Sequence, residues 1–400
     1  MTTTSIIGEE IHQKKRYQNQ PDIDHEWLKK ALNHVLKKID QNLERFTHDF
    51  PSASSEKLQY KAVNGSDVDW TEGFWTGMLW LAYEVTNDEK YRRIAELQVK
   101  SFKERIEKQV KTNTHDLGFL YSLSCVSAYK LTGNQEAKEA ALQAADLLMK
   151  RYHSKARIIQ AWGDLTNPEE RGRMIIDCNL NLPLLFWASE VTGDRKYFDV
   201  AANHIHQAAQ YIVRQDSSTF HTFYLDVDTG EPIVGKTHQG YSDDSCWSRG
   251  QVWGIYGFAL NYVYTKDVSL LELSKKLTNY FLNRLPEDDV CYWDLIFTDG
   301  DEQERDSSAS AIAVCGMLEM VKHLPLLDTD SMYYKNAALT ILKSLQEHYT
   351  TDETEEENGV LLHAVYNKGR GMGIDESCLW GDYYYFEALV RLSKAWSMYW

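Results

Sequence analysis

The chain has 400 residues, of which 43% are hydrophobic and 26% charged, and it contains 22 glycines and 7 prolines. This composition is typical of a globular protein with a large core, and it excludes a largely disordered chain. The formal net charge of −16 argues against a polyanion such as DNA as the partner, because long-range repulsion opposes association. An acidic ligand therefore requires a local cationic pocket.

The N-terminal residues and the cysteines indicate a cytoplasmic protein. Residues 1–20 lack the apolar core of a signal peptide, and no run of the chain approaches the ~20 apolar residues that span a bilayer. The six cysteines never form a CxxC pair, and most lie in apolar helical stretches. We therefore expect reduced core cysteines, a cytoplasmic location and no membrane partner.

A helix–turn–helix unit recurs along the chain. Its copies read LAYEVTNDEKY at 81–91, SAYKLTGNQEA at 127–137 and WASEVTGDRKY at 187–197, and a diverged copy, YVYTKDVSL, follows at 262–270. Gly or Asn can end the first helix in the left-handed conformation, and the Asp or Asn that follows can cap the second helix. The repeats predict pairs of helices that are joined by tight turns.

Hydrophobic periodicity places about twelve helices in six pairs, while strand-like runs are almost absent. The predicted pairs are 24–47 with 72–86, 88–110 with 116–131, 134–152 with 175–192, 194–214 with 248–264, 269–285 with 306–324, and 330–349 with 380–396. The second helix of each pair carries few charges, as expected of an inner helix. We predict an all-α fold, a closed (α/α)6 toroid that forms a single domain over residues 24–400, after an N-terminal extension at 1–23.

Polar and aromatic residues cluster before the inner helices, so we expect a functional site on that rim, where free N–H groups suit an anionic ligand. Asp177 stands out there, because an unpaired carboxylate among apolar neighbours is costly. Those neighbours are Met174, Ile175, Ile176, Cys178, Leu180 and Leu182. Burial would keep a proton on this carboxyl near neutral pH, as a general acid requires. The alternative is a buried structural aspartate whose carboxylate accepts hydrogen bonds from backbone N–H groups.

Asp116 begins another inner helix, where it is either a helix cap or the second member of a carboxylate pair. Trp70 and Trp162 lie in polar loops and could stack on sugar rings, or could simply pack against the protein. Arg249 could grip a carboxylate or form an ordinary salt bridge. Metal-binding and nucleotide-binding motifs are absent from the sequence, so we expect neither a metal nor a cofactor.

The chain contains, in this order, the segments WTEGFWTGMLWLAYE, HDLGFLYSLSC, IQAWGD, IIDCNLN, SSTFHTFYLDVDTGEP, QGYSDDSCWSRGQVWGIYG, NRLPEDDVCYWDLIFTDG and WGDYYYFEAL. Through these eight segments the chain closely resembles, from about residue 24 to the C-terminus, the unsaturated glucuronyl hydrolases of glycoside hydrolase family 88. The resemblance implies an (α/α)6 barrel, in agreement with the helix pairs. It also implies hydration of the C4=C5 enol ether that a polysaccharide lyase leaves, followed by release of the unsaturated uronic acid.

The resemblance also implies a set of site residues. Asp177 would be the general acid and base, and Asp116 its partner. The residues that would surround the uronate are His115, His221, Gln239, Arg249 and Trp253, with Trp70 and Trp162 as stacking faces and Tyr366 closing the site. Where the family members that favour sulfated fragments have Ser, Ser and Lys, this chain has Asn367, Arg370 and Met372, which puts a sulfated preference in doubt.

We therefore expect a hydrolase that acts on the non-reducing end of lyase-generated glycosaminoglycan-type di- and oligosaccharides. The alternatives are the sister activity on unsaturated rhamnogalacturonan fragments and a non-catalytic glycan-binding toroid. The sequence leaves the oligomeric state, the linkage and the aglycone open.

Overall fold

Helices dominate the computed structural model, which describes residues 6–352 and 356–400. The α-helices are α1 (His25–Asn42), α2 (Glu72–Thr86), α3 (Glu89–Glu107), α4 (Leu117–Tyr121), α5 (Ser127–Thr132), α6 (Gln135–Met149), α7 (Pro183–Thr192), α8 (Arg195–Tyr211), α9 (Ser248–Thr265), α10 (Val268–Leu282), α11 (Ser307–Val321), α12 (Ser331–His348) and α13 (Leu379–Ser393). A π-helical turn, Ser122–Val126, joins α4 to α5 into one inner segment. Each predicted helix has a counterpart.

The inner helices form a closed ring. Going round it, α2 contacts the α4–α5 segment, which contacts α7, and α9, α11 and α13 follow before α13 returns to α2. Helices α1, α3, α6, α8, α10 and α12 pack outside this ring. The inner helices are buried on nearly all sides, as their low charge predicts, and their side chains form most of the core. The all-α (α/α)6 toroid expected from the sequence is confirmed.

The turns between the outer and inner helices form as the repeats predict. Left-handed residues end four inner helices, and in each case the next side chain accepts a hydrogen bond from a backbone N–H in the first turn of the outer helix. The pairs are Asn87 with Asp88, Gly133 with Asn134, Gly193 with Asp194, and Lys266 with Asp267. These turns all lie at one end of the toroid.

Short strands lie at the opposite end of the toroid. The sequence predicted almost no strands, so it underestimated their number. They are β1 (Phe50–Pro51), β2 (Ala62–Val63), β3 (Tyr152–His153), β4 (Ile158–Ile159), β5 (Arg173–Ile175), β6 (Thr222–Leu225), β7 (Pro232–Lys236), β8 (Ala364–Asn367) and β9 (Met372–Glu376). They form antiparallel sheets ordered β1–β2, β3–β4, β5–β6–β7 and β8–β9. The Asp228-Thr229-Gly230 turn between β6 and β7 is a hairpin signal in the sequence.

The described part of the predicted N-terminal extension packs against the toroid. Tyr17 is buried, Arg16 pairs with Asp289 at 2.8 Å, and the Ile7 N–H donates to the Gln215 carbonyl at 2.7 Å. The domain boundary at residue 24 stays a prediction, and residues 1–5 lie outside the described part. No helix within the described residues is long and apolar enough to cross a membrane.

Candidate active site

A cleft of about 440 Å³ opens at the end of the toroid where the inner helices begin. This volume is within the range of small-molecule binding sites. Its wall is formed by Asp69, Trp70, Lys111, Asn113, Thr114, His115, Asp116, Trp162, Asp177, His238, Gln239, Tyr366, Asn367, Arg370 and Met372. These residues come from the segments before α2, α4, α7, α9 and α13, so the structure brings residues from the starts of five inner helices together on one rim.

Two carboxylates and one imidazole form the chemical centre of the cleft. Nε2 of His115 lies 3.1 Å from Oδ1 of Asp177 and 3.2 Å from Oδ1 of Asp116. One ligand atom from each residue lies within 4.8 Å of the other two. His115 is buried, whereas the side chains of Asp116 and Asp177 retain 14% and 16% of their exposure. The cluster can therefore present both carboxylates to a ligand in the cleft.

Burial and charge set the protonation of this cluster. Burial raises the pKa of Asp116 to about 6; the nearby charge of Asp177 adds to the rise, while His115 and the hydroxyl of Thr114 oppose it. Thr114 donates to Oδ2 of Asp116 at 2.8 Å. Burial lowers the pKa of His115, but the adjacent carboxylates more than offset that effect, so its pKa is raised overall. The raised pKa of Asp116 therefore places a carboxyl group that titrates near pH 6 at the centre of the site.

The position of Asp177 differs from the prediction in two ways. It lies in a 3₁₀ turn, Ile176–Leu180, ahead of α7 and not within an inner α-helix, because Pro183 begins that helix. It is also less dry than expected, since its side chain faces the cleft. Nδ2 of Asn181 donates to the backbone carbonyl of Asp177 at 3.2 Å, while Oδ1 of Asn181 accepts the N–H of Phe119 at 2.8 Å. Asn181 thereby ties the Asp177 turn to the helix that follows Asp116.

Three of the predicted aromatic residues line the cleft. Trp70 stacks on Trp380 with ring centroids 5.1 Å apart, and its Nε1 donates to the hydroxyl of Tyr366 at 3.0 Å. Trp162 lies near His115, with ring centroids 6.0 Å apart, and the guanidinium of Arg173 lies 5.0 Å from its ring centre. Both rings therefore pack against neighbouring side chains and lie in the cleft wall, where an aromatic face can stack on an apolar ligand surface.

Arg249 is 1% exposed and lies behind the cleft wall. Its Nη1 donates to Oδ2 of Asp306 at 2.9 Å, and its Nη2 donates to Oε1 of Gln239 at 2.7 Å and to the carbonyl of Tyr366 at 2.5 Å. The guanidinium is thus committed to a buried salt bridge, the ordinary alternative that the sequence left open. It links Gln239 and Tyr366, both of which line the cleft, so its contact with a uronate stays a prediction.

His221 and Trp253 are not among the wall residues of the cleft either. Nδ1 of His221 accepts the N–H of His238 at 3.0 Å, and burial holds the pKa of His221 well below its usual range, so the ring is neutral. Trp253 is buried among inner-helix aromatics, with its ring centroid 5.3 Å from that of Phe119. Their predicted contacts with substrate are therefore not shown by the shape of the cleft.

Five residues of the cleft wall were not predicted from the sequence. They are Asp69, Lys111, Asn113, Thr114 and His238. Each directly precedes, or lies within four residues of, a residue that was predicted, so proximity along the chain was the available signal. Lys111 and Arg370 place two cations beside the cleft, which supplies the local positive charge that an acidic ligand needs on a chain of net charge −16.

The same cluster brings together three side chains that could each ligate a metal ion. Among residues 6–352 and 356–400, His115, Asp116 and Asp177 are the only group whose ligand atoms lie close enough to hold one. The three side chains are held together by the contacts of the His115 imidazole with the carboxylates of Asp116 and Asp177. The absence of a metal and of a cofactor stays a prediction.

Comparison with known proteins gives consistent matches over the whole chain. A family model described as Glycosyl Hydrolase Family 88 matches residues 39–396. The unsaturated chondroitin disaccharide hydrolase of Streptococcus pneumoniae is 50% identical over 395 residues, which cover 99% of each chain. The crystal structure of unsaturated glucuronyl hydrolase from Streptococcus agalactiae has a TM-score of 0.97, at 49% identity and 100% coverage of both chains. A variant of that protein complexed with dGlcA-GalNAc6S has a TM-score of 0.89, at 46% identity and 100% coverage of both chains.

Proposed function

The chain belongs to glycosyl hydrolase family 88, and we propose that it releases the unsaturated uronic acid from the non-reducing end of lyase-generated glycosaminoglycan di- and oligosaccharides. The observation that carries this proposal is the placement of His115 between the carboxylates of Asp116 and Asp177 in an open cleft. The names of the relatives, which act on unsaturated chondroitin disaccharides and glucuronides, support the substrate class.

We propose that the reaction is a hydration. Asp177 gives its proton to C4 of the C4=C5 enol ether, which leaves oxocarbenium-like charge at C5. A water molecule adds at C5 and returns a proton to Asp177, which acts first as acid and then as base. The hemiketal opens to a C5 ketone, and the aglycone leaves from C1. One water molecule is consumed, and the carboxyl is regenerated.

Asp116 and His115 complete this proposal. Ionised Asp116 stabilises positive charge at C5, because electrostatic attraction between a carboxylate and a developing positive charge is strong in a partly buried site. With a pKa of about 6, Asp116 loses this charge as the pH falls through that value. His115 contacts both carboxylates and so fixes the separation between them.

The remaining wall residues fit an acidic sugar. Lys111 and Arg370 offer positive charge to a carboxylate or another acidic substituent, and Trp70 and Trp162 offer ring faces to the sugar. Asn367, Arg370 and Met372 form the wall near the β8–β9 hairpin. Because these residues depart from the Ser, Ser and Lys pattern, we propose no requirement for a sulfated aglycone.

A substrate panel tests the proposed function. Purified protein is expected to remove the ultraviolet absorbance of the enol ether from unsaturated chondroitin and hyaluronan disaccharides. Loss of absorbance with unsaturated rhamnogalacturonan fragments alone would assign the sister activity. Binding without any loss of absorbance across the panel would assign a non-catalytic glycan-binding protein, and either result would overturn the proposal.

We also propose that the protein acts in the cytoplasm. All six cysteines are buried and unpaired, as is usual in a reducing compartment. Fractionation of the source cells, followed by detection of the protein in each fraction, tests this location. Recovery outside the cytoplasmic fraction would contradict it.

A further inference from the structure

Three aromatic rings pack on one another beside the cleft. The centroid of the Tyr241 ring lies 5.2 Å from that of Phe297 and 6.3 Å from that of Trp293, and the Trp293 and Phe297 centroids lie 5.6 Å apart. None of these rings belongs to the main hydrophobic core. Tyr241 is 59% exposed, so its ring faces solvent while the other two support it. We call Tyr241, Trp293 and Phe297 the rim cluster.

The loops that carry the rim cluster are held in place by a buried carboxylate. Oδ2 of Asp294 accepts the N–H of Tyr241 at 2.9 Å and the hydroxyl of Ser245 at 2.7 Å, and its Oδ1 accepts the N–H of Ile296 at 3.1 Å. The N–H of Ser248, at the start of α9, donates to the Trp293 carbonyl at 3.2 Å. The exposed Tyr241 ring is therefore carried by backbone that is already ordered, so binding of a ligand there costs little conformational entropy.

The rim cluster continues the wall of the cleft on two sides. Tyr241 follows two residues after Gln239, which lines the cleft. On the other side, the N–H of Trp293 donates to the carbonyl of Glu304 at 3.1 Å, and the carboxylate of Glu304 pairs with Lys368. Lys368 begins the 3₁₀ turn that ends at Arg370, another wall residue. The cluster thus lies on the rim between Gln239 and Arg370.

We propose that the rim cluster is a stacking subsite for a sugar beyond the first two residues of the substrate, on its reducing-end side. This proposal rests on the proposed function, because the unsaturated end must lie at His115, Asp116 and Asp177 for the chain to extend over the rim. An exposed, supported aromatic face suits the apolar face of a pyranose, and neutral stacking does not depend on sulfation. Oligosaccharides longer than a disaccharide should therefore gain affinity from Tyr241.

Binding to the Asp177→Asn protein tests this subsite without turnover. Titration calorimetry with an unsaturated chondroitin disaccharide and the corresponding tetrasaccharide gives the Kd of each, with and without Tyr241→Ala. We expect Tyr241→Ala to raise the tetrasaccharide Kd about 3- to 10-fold, as loss of one stacked ring predicts, and to leave the disaccharide Kd unchanged. Tyr241→Phe keeps the ring and is expected to bind both ligands as the parent does.

Val268→Ala serves as the matched control, because Val268 is an exposed apolar residue at the start of α10 and is remote from the cleft. An unchanged tetrasaccharide Kd in Tyr241→Ala, or an equal rise in both Kd values, would overturn the subsite. Turnover of the disaccharide by the wild-type protein is measured separately. If that turnover fails while the length-dependent effect of Tyr241 persists, the proposed hydrolysis is wrong, whereas binding of the unsaturated end in the cleft and the rim subsite both stand.

Discussion

The end of the toroid at which the inner helices finish differs in construction from the end at which they begin. At the first, which we call the turn end, four of the connections between an inner helix and the next outer helix consist of two residues each. Thr86, for example, donates to the carbonyl of Ala82 at 2.6 Å and accepts the N–H of Asp88 at 3.1 Å. The same arrangement recurs at Thr192 and Asp194. Local hydrogen bonds define these four turns.

At the opposite end, which we call the cleft end, the contacts that define the site join distant parts of the chain. His115 and Asp177 are 62 residues apart, Arg249 and Asp306 are 57 apart, and Trp70 and Tyr366 are 296 apart. Groups that are costly to bury, including Arg249 and Asp306, are retained there. We therefore expect substitutions at the turn end to change mainly stability, and substitutions at the cleft end to change mainly the proposed reaction.

The same conservative substitution at the two ends should separate these contributions most strongly. Asp177→Asn is expected to lower kcat/KM for an unsaturated disaccharide by about 10²- to 10⁴-fold, because the amide cannot transfer the proton. Asp88→Asn at the turn end is the matched control, since Asn caps a helix as well as Asp does. It is expected to leave kcat/KM unchanged.

The activity of both variants is measured as the initial rate at which the enol-ether absorbance falls, and thermal unfolding checks that each variant is folded. Comparable activity in Asp177→Asn and Asp88→Asn would remove Asp177 from the reaction.

A change at the turn end should have the reverse outcome, a loss of stability without a loss of activity. Asn134 accepts the N–H of Ala137 at 3.0 Å, and Asn134→Ala removes this cap at the start of α6. We expect the free energy of unfolding to fall by about 1 kcal/mol, as measured with denaturant, while kcat/KM stays at the wild-type value. Asn134→Asp should restore the stability. A fall in kcat/KM for folded Asn134→Ala would show that the two ends are coupled.

The smallest expected effect is a displacement of the pH profile. Ionised Asp116 is needed in the proposed reaction, so kcat/KM should decline as the pH falls through about 6. The hydroxyl of Thr114 stabilises the ionised form, and Thr114→Val removes that hydrogen bond. The pKa of Asp116 should then rise, and the acid limb should move to higher pH, with a change of less than about tenfold at any one pH because one hydrogen bond is worth about 1 kcal/mol.

Thr340→Val is the control for this experiment, because Thr340 makes its hydrogen bond within α12, far from the cleft. Movement of the acid limb to lower pH in Thr114→Val would contradict the assignment of this titration to Asp116.

The turn end could be predicted from the sequence because its signals are local. Gly133, Asn134 and their equivalents occupy fixed positions relative to the helices that they join, and the inner helices differ from the outer ones in charge. The resulting fold, an all-α toroid, is confirmed. The predicted boundary missed the 3₁₀ turn at Asp177, although Pro183 is a recognised first residue of a helix.

The cleft end could be predicted only in part. Residue type and neighbours identified Asp116, Asp177, Trp70 and Trp162, which the structure places in one wall. The burial of Arg249 depends on Asp306 and on the backbone of the β8–β9 hairpin, and no local pattern reveals such partners. The rim cluster was missed for the same reason, since Tyr241 meets Phe297 across a long separation in the chain.

Reaction in heavy-oxygen water tests the central claim, hydration of the double bond at the His115, Asp116 and Asp177 cluster, most directly. The product of an unsaturated disaccharide is analysed by mass spectrometry at early times, beside unlabelled product that reports exchange with solvent. Hydration predicts that the label enters at the C5 ketone. Label confined to C1 would contradict the account and would indicate conventional attack at the anomeric carbon.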